Sequence, residues 1–299
     1  MKKKTLFPAL MLVLSLLCGC SAPKEYAPIA ATTLPVYEFT SRLCEGTDLS
    51  VTRLVTESVS CLHDYSLNVS QVRSAEAAET VVINGAGLEE FMEDILPGSS
   101  SIDASSGIEI IECEEGHDHE HEEEEEHSHE GHHHEQDSHI WLSPENAMVM
   151  ARNICDGLCG QYPEYSSTFE ANLESLIADL EALQAYGEAE LADLSCREII
   201  TFHDGFAYFA EAFGLHIIRA VEEESGAEAS AAELKELIGL VQEHDLPAIF
   251  TETNGSVSAA DVIARETGAA VYTLDMAMSG ESYFEAMYHN IYTIKEALG

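Results

Sequence analysis

Four side chains with metal-binding chemistry share one placement in the sequence, because each follows a short apolar run typical of a β-strand. They are His63, His139, His203 and Asp275, which follow the predicted strands 50–55, 108–111, 198–202 and 270–273. In open parallel sheets, ligands bind in the crevice at the carboxyl ends of the strands. Three imidazoles and one carboxylate suit tetrahedral Zn²⁺ better than Mn²⁺, which prefers more oxygen. Histidines that are only hydrogen-bonded within the fold would show the same spacing, so both interpretations stay open.

A second group of histidines lies in an acidic segment. Residues 112–137 contain thirteen Asp and Glu residues, eight histidines and no Lys or Arg. Such a low-complexity sequence cannot bury a core, so we predict an inserted loop that is disordered without metal. Its histidines would form weak accessory metal sites, and a solvated insertion with adventitious metal affinity is the alternative. They are His117, His119, His121, His127, His129, His132, His133 and His134.

The elements that must position the four donors alternate between strand and helix, which indicates parallel α/β units. The predicted strands are 29–33, 50–55, 81–84, 108–111, 198–202, 217–220, 248–252 and 270–273. Between the two sets of four, apolar residues recur at spacings of 4, 3, 4 and 3 from Phe169 to Leu183. This stripe predicts a long helix, or less favourably a coiled-coil seam. We therefore expect two lobes, each with a four-stranded parallel sheet in a (β/α)4-like arrangement, joined by a rigid helix, with the metal site in the cleft.

The N-terminus has the features of an export signal. Three lysines precede the apolar stretch from Leu6 to Leu17, which is too short to span a bilayer. The run Leu17-Cys18-Gly19-Cys20 resembles a bacterial lipobox with Cys20 as the lipidated residue; an ordinary cleaved signal is the alternative. We expect a signal peptide over 1–19 and an extracytoplasmic protein anchored by lipid to the cell membrane. The expected domains are a tether over 20–28, an N-terminal lobe over 29–161, the joining helix over 162–193 and a C-terminal lobe over 194–299.

The composition limits the partners. With 13 Lys and Arg against 55 Asp and Glu, the formal net charge is −42, which argues against nucleic acid and anionic lipid. Hydrophobic residues make up 45%, enough for a real core. Six cysteines follow Cys20, an even number that permits disulfides without identifying them.

Five segments in order along the chain resemble one known family, the metal-binding lipoproteins of bacterial ABC importers, also called cluster A-I solute-binding proteins. They are Thr33-Leu34-Pro35-Val36-Tyr37, His63-Asp64-Tyr65, Asn84-Gly85-Ala86-Gly87-Leu88-Glu89, His139-Ile140-Trp141-Leu142-Ser143-Pro144 and Phe202-His203-Asp204-Gly205-Phe206-Ala207-Tyr208-Phe209. The resemblance implies two (β/α)4 lobes joined by a long helix, a metal held between them, and delivery of that metal to a membrane permease. We expect a monomeric receptor rather than an enzyme.

The resemblance further implies a ligand set. His63, His139 and His203 match the first three family ligands, and Asp275 matches a carboxylate that some zinc-type members replace with water or another Glu. Manganese-type members usually have Glu where His203 stands, and the histidine-rich loop is a zinc-type feature. The expected function is a zinc receptor; the alternatives are a manganese or iron receptor, a metal-stabilised surface adhesin, or a secreted zinc hydrolase. One departure is Leu62, where the family usually has Pro.

Overall fold

The computed structural model describes residues 26–57, 62, 65–96, 101–112, 136–221, 230–253, 255 and 257–299. Several predicted features lie outside these residues: the signal peptide, Cys20, His63 and the eight loop histidines. Within the part of the chain that the structure describes, no helix is long and apolar enough to cross a membrane.

The N-terminal lobe is built on a four-stranded parallel sheet in the order β2-β1-β3-β4. Its strands are β1 (Ile29–Ala31), β2 (Val51–Arg53), β3 (Thr80–Ile83) and β4 (Ser101–Asp103). Its α-helices are α1 (Leu34–Leu43), α2 (Val69–Ala77) and α3 (Pro144–Gln161), with 3₁₀ turns at Glu90–Ile95 and Ile140–Leu142. Asn68 caps α2 through its side chain and Ser143 caps α3, which fixes where these helices begin.

The C-terminal lobe repeats the arrangement with a parallel sheet in the order β6-β5-β7-β8. Its strands are β5 (Glu198–Thr201), β6 (His216–Ala220), β7 (Ala248–Glu252) and β8 (Ala270–Leu274). Its helices are α5 (Ala207–Phe213), α6 (Ala231–Glu243), α7 (Ser258–Thr267) and α8 (Tyr283–Leu298). The predicted fold, two lobes with four parallel strands each, is confirmed.

The predicted joining helix is also present. Helix α4 (Ser166–Glu190) follows a 3₁₀ turn at Pro163–Tyr165 and packs against α1, α3 and α8, so it contacts both lobes. The buried members of its apolar stripe are Phe169, Leu176, Leu180 and Leu183. Near its end, a Cβ on Gly187 would lie 2.2 Å from the Phe213 ring, so only glycine lets α5 approach this closely.

Hydrogen bonds between buried groups tie the two lobes together beside the cleft. The indole Nε1 of Trp141 donates to the carbonyl of Met276 (2.7 Å), and the hydroxyl of Tyr283 donates to the carbonyl of Trp141 (2.8 Å). Leu34 donates its backbone N–H to the carbonyl of Met278 (3.2 Å). Because Trp141 and Tyr283 are fully buried, water cannot replace these bonds, and the lobes keep a fixed relation at this edge.

One predicted strand is wrong. Residues 108–111 are not in the sheet; the fourth strand is Ser101–Asp103, which pairs with β3. The error arises because the observed strand Ser101–Asp103 has a single apolar residue, Ile102, whereas residues 108–111 include three isoleucines. Those isoleucines pack against the core, but the backbone of Ile111 bonds to the N–H of Asp137 (2.9 Å) and to the Tyr208 hydroxyl (2.9 Å) instead of a strand.

The cysteines within the described residues are free thiols. They are Cys44, Cys155, Cys159 and Cys196. Burial raises the pKa of Cys44 and of Cys155 to about 12, so neither thiol is ready to act as a thiolate ligand at neutral pH.

Candidate metal centre

Two of the predicted ligands, one from each lobe, face each other in the cleft. His139 stands at the start of the 3₁₀ turn Ile140–Leu142, and His203 lies two residues beyond the carboxyl end of β5. Their Nε2 atoms are 3.4 Å apart and their ring planes are at 90°. Ligands of a tetrahedral zinc ion with Zn–N bonds of about 2.0–2.1 Å lie about 3.3–3.4 Å from each other. The two nitrogens are therefore spaced as neighbouring ligands of one zinc ion.

A carboxylate stands behind each imidazole. Oδ1 of Asp137 lies 2.8 Å from Nδ1 of His139 and also accepts the backbone N–H of that residue (2.9 Å). Oε2 of Glu252 lies 3.7 Å from Nδ1 of His203, within ion-pair distance. A carboxylate beside Nδ1 favours the proton there and leaves the lone pair of Nε2 for a metal. Each lobe thus supplies an imidazole with a carboxylate beside its Nδ1 and with its Nε2 facing the other lobe.

The segment that carries His139 is fixed from both lobes. The hydroxyl of Tyr208 donates to the carbonyl of Asp137 (3.0 Å), and Nδ2 of Asn84 donates to the carbonyl of Ser138 (3.1 Å). The second carboxylate oxygen of Asp137, Oδ2, is buried and has no hydrogen-bond partner in the described part of the chain. A buried carboxylate with an unsatisfied oxygen is costly unless a positive charge lies close by. The Asp137 carboxylate therefore favours a cation bound to the imidazole of His139.

Gly205 lets the two imidazoles approach. A Cβ at this position would lie 2.8 Å from Cδ2 of His203, 2.9 Å from Cε1 of His139 and 2.7 Å from Cε of Met276. These contacts are shorter than carbon atoms tolerate, so any side chain here would push the rings out of place. Gly205 is thus a steric requirement of the site.

Asp275 lies where the sequence predicts, directly after β8, but its carboxylate has a different contact. Its Oδ1 accepts the backbone N–H of Ala277 (2.7 Å), and its own backbone N–H and carbonyl bond to the side chain of Asn290. Ala277 has a positive φ of 53°, which this contact helps to hold. Among the described residues, the hydrogen bond of the Asp275 carboxylate goes to this turn and not to an imidazole.

The remaining predicted ligands are not tested by the structure, because His63 and the loop histidines lie outside the described residues. Leu62, the residue before His63, is buried. Its carbonyl accepts the N–H of Tyr65, two residues after His63 (3.0 Å). Leu62, which replaces the usual proline, is therefore anchored by burial. Over the described ranges, no three His, Cys, Asp or Glu side chains are grouped closely enough to hold a metal by themselves. The two imidazoles accordingly need further donors.

Sequence reasoning missed Asp137 and Glu252. Asp137 is the last residue of the acidic segment 112–137, and its type does not distinguish it from the twelve other acidic residues there. Glu252 is the last residue of β7, which neighbours β5 in the sheet, so its placement resembles that of Asp275 after β8. A search for carboxylates at every strand end, in addition to histidines, would have found it.

Two lobes of four parallel strands, joined by a long helix and holding a pair of carboxylate-backed imidazoles in their cleft, define a two-lobed metal-binding receptor. A family model agrees with this class. The model of the periplasmic component A of the zinc-uptake complex, ZnuA, matches residues 29–297, and the chain belongs to this family. The family predicted from the sequence is therefore confirmed.

Individual relatives agree in sequence and in fold. The zinc-binding lipoprotein AdcA of Streptococcus pneumoniae is 31% identical over 99% of the chain, which spans 61% of the length of that relative. A crystal structure of ZnuA superposes with a TM-score of 0.76 at 28% identity, covering 91% of this chain and 100% of that one. The Zn(II)-bound ZnuA-like domain of AdcA from S. pneumoniae gives a TM-score of 0.74 at 26% identity, covering 92% and 99%.

Proposed function

We propose that the protein is an extracytoplasmic receptor that captures Zn²⁺ between its lobes and delivers it to an ABC-type importer. One observation carries this proposal: Nε2 of His139 and Nε2 of His203, from different lobes, lie 3.4 Å apart. Each imidazole also has a buried carboxylate at Nδ1. Function here is a binding cycle and requires no chemical step on the cargo.

The ligand set that we propose adds His63 and Asp275 to the facing pair. His63, which belongs to the N-terminal lobe, would supply a third imidazole. It lies in the chain between Leu62 and Tyr65, which are joined by a backbone hydrogen bond. Asp275 would supply the carboxylate, which requires Oδ1 to leave Ala277 or Oδ2 to turn toward the cleft. Glu252 instead acts through His203 by orienting its ring, as carboxylates behind metal-bound histidines generally do.

Zinc is the favoured cargo because the donors are mainly imidazoles. At the position of His203, a carboxylate would add the oxygen that Mn²⁺ prefers, whereas an imidazole suits Zn²⁺. The name and the bound ion of the AdcA relative support the same choice. No contact within the described residues favours manganese or iron uptake, or a role as an adhesin.

The attachment and the partner belong to the same proposal. Lipidation of Cys20, after removal of residues 1–19, would leave residues 21–28 as a tether between the membrane and β1, which begins at Ile29. The relative's description as a lipoprotein supports this anchor. A monomer held by such a tether would present its cleft to the permease subunit of the importer. The accessory histidines of segment 112–137 would raise the local zinc concentration near His139.

The test of the proposed function is zinc binding by the full mature chain, measured by competition with a chelator of known affinity. We expect one tight site, which His203→Ala abolishes. His289→Ala is the matched control, because this histidine on α8 is exposed and its ring contacts Thr293 on the same helix. An intact tight site in the His203→Ala protein would refute the assignment.

A second measurement separates the cleft from the histidine-rich segment and zinc from manganese. Deletion of residues 117–134 should leave the tight site in place, because both described ligands lie outside that range. Native mass spectrometry after incubation with equal Zn²⁺ and Mn²⁺ should show the single tightly held ion to be zinc. Preferential retention of manganese, or loss of the tight site on deletion, would overturn the proposal.

A further inference from the structure

A second cluster of imidazoles and a carboxylate lies at the opposite edge of the C-terminal sheet. Glu198 begins β5, His216 begins β6, and His244 ends α6 as its C-terminal cap. The register of the parallel pair places Glu198 beside His216. Because the cleft residues follow the carboxyl ends of strands, these three side chains, the outer trio, lie at the amino ends, away from the cleft.

The outer trio is connected through the carboxylate of Glu198. Its Oε2 lies 3.0 Å from Nδ1 of His244, and its Oε1 lies 3.9 Å from Nδ1 of His216. Ligands of tetrahedral zinc are separated by about 3.3–3.4 Å, so the His244 distance is shorter than this value and the His216 distance is clearly longer. The side chains are also accessible, with exposed fractions of 40% for Glu198, 31% for His244 and 73% for His216.

We propose that the outer trio is a second, weaker Zn²⁺ site that takes Nδ1 of His216, Nδ1 of His244 and the carboxylate of Glu198 as ligands, with water completing the coordination. Two imidazoles and a carboxylate match borderline divalent cations. The formal charge of −42 raises the concentration of such cations at the surface.

Binding requires a small rearrangement, since no three donors in the described ranges are already close enough to share an ion. We expect His216, whose side chain is 73% exposed, to rotate toward Glu198 on binding. The adjacent cation, Arg197, does not neutralise the carboxylate by an ion pair, because its guanidinium donates to the carbonyls of Leu191, Ala192, Phe213 and Gly214. A bound ion would cross-link β5, β6 and α6, and would stabilise this lobe by mass action.

The experiment uses the full mature chain at pH 7.5, with one equivalent of Zn²⁺ added first to fill the cleft. Further Zn²⁺ is then titrated while nitrogen-15 NMR follows the imidazoles of His216 and His244. We expect the Nδ1 signals of both to shift together with one binding constant, in the natural protein and in the His203→Ala variant. Because His203→Ala removes the proposed cleft site, the result in this variant tests the outer trio independently of the cleft.

Substitutions decide whether the three side chains act as one site. Glu198→Gln and, independently, His216→Ala should abolish the shift at His244, whereas the control His289→Ala should leave it unchanged. Shifts of His244 that persist in both variants would mean binding to a single imidazole and would overturn the proposal. Absence of any coupled shift in the natural protein would do the same and would leave only a hydrogen-bonded surface cluster.

Discussion

The cleft and the outer trio carry similar chemical groups in very different surroundings. In the cleft, His139 and His203 are largely buried, with exposed side-chain fractions of 5% and 17%, and the carboxylates behind them are buried as well. In the outer trio, His216 is 73% exposed and Glu198 is 40% exposed. Burial fixes the rings of the cleft before a metal arrives, whereas the outer rings must be ordered by it.

This difference predicts the order of affinities. Ordering a mobile side chain costs conformational free energy on binding. The side chains of the cleft are already ordered in the folded protein, so metal binding there avoids this cost. An exposed carboxylate is also satisfied by water, whereas the buried Asp137 with its unpaired Oδ2 gains from a nearby cation. The cleft should therefore bind zinc far more tightly than the outer trio, although both offer imidazole and carboxylate.

The largest effect is expected from Gly205→Ala, which disturbs the spacing of the two imidazoles without substituting either of them. The new Cβ would lie within 2.9 Å of both imidazoles, so we expect zinc affinity at the cleft to fall by about 100-fold or more. Competition titration measures this change, and NMR shifts of the outer trio should not move. Gly239→Ala on α6 is the control, since nothing lies within 4 Å of its Cβ. Unchanged cleft affinity in Gly205→Ala would show that spacing is not what binds the ion.

Glu89 provides a comparison with the carboxylates of the cleft, because it is buried but its described hydrogen-bond partners include no imidazole. It accepts bonds from the Thr32 hydroxyl and from the N–H groups of Asn84 and Gly85, yet burial raises its pKa from 4.5 to about 7. The folded state thus holds a proton that the unfolded state has lost, and this stabilisation disappears as pH rises from about 4.5 through about 7.

The measurement is denaturant unfolding of metal-free protein between pH 5 and 8. The stability of the natural chain relative to Glu89→Gln should fall by about 3 kcal/mol as the pH rises, at about 1.4 kcal/mol per pKa unit. The exposed neighbour provides the control, so Glu90→Gln should follow the natural protein at every pH. A relative stability for Glu89→Gln that stays constant with pH would contradict the raised pKa.

Asp137→Asn should weaken the cleft by a smaller factor than the steric change. Asparagine keeps an acceptor near Nδ1 of His139 but removes the charge, and such losses behind a metal ligand typically cost about 10–100-fold in affinity. Competition titration again reports the value. Asp193→Asn removes the same charge from an exposed position and should have no effect. Equal effects of the two substitutions would mean that only net charge matters.

Glu252→Gln should give the smallest change in the cleft, about tenfold. Its carboxylate lies 3.7 Å from Nδ1 of His203, whereas the Asp137 contact is 2.8 Å, so the support is weaker. The exposed Glu211 on α5 provides the control as Glu211→Gln. A loss larger than that of Asp137→Asn would mean that Glu252 is itself a ligand and that the proposed place of Asp275 is wrong.

Much of the fold could be predicted from the sequence because its signals are local. The alternating strands and helices, the stripe from Phe169 to Leu183 and the histidine after β5 all depend on periodicity or on strand ends. The strand Ser101–Asp103 could not be found this way, since three residues with one isoleucine carry almost no hydrophobic pattern. Its pairing with β3 is decided by the tertiary fold instead.

The two facing imidazoles of the candidate site were predictable from the sequence, whereas the groups that support them were not. His139 and His203 are marked by their types and by the motifs around them. Asp137, Glu252 and the steric role of Gly205 depend on distances between separate segments, which no spacing in the chain encodes. The contact of Asp275 with Ala277 is of the same kind, because it arises from the turn that follows β8.

The most direct test of the central claim is a crystal structure of the zinc-loaded mature chain with anomalous data at the zinc edge. The strongest peak should lie between the lobes, about 2.0–2.1 Å from Nε2 of both His139 and His203, with Asp137 and Glu252 still beside the two Nδ1 atoms. A strongest peak that contacts only one of these histidines, or that lies at the outer trio, would contradict the account.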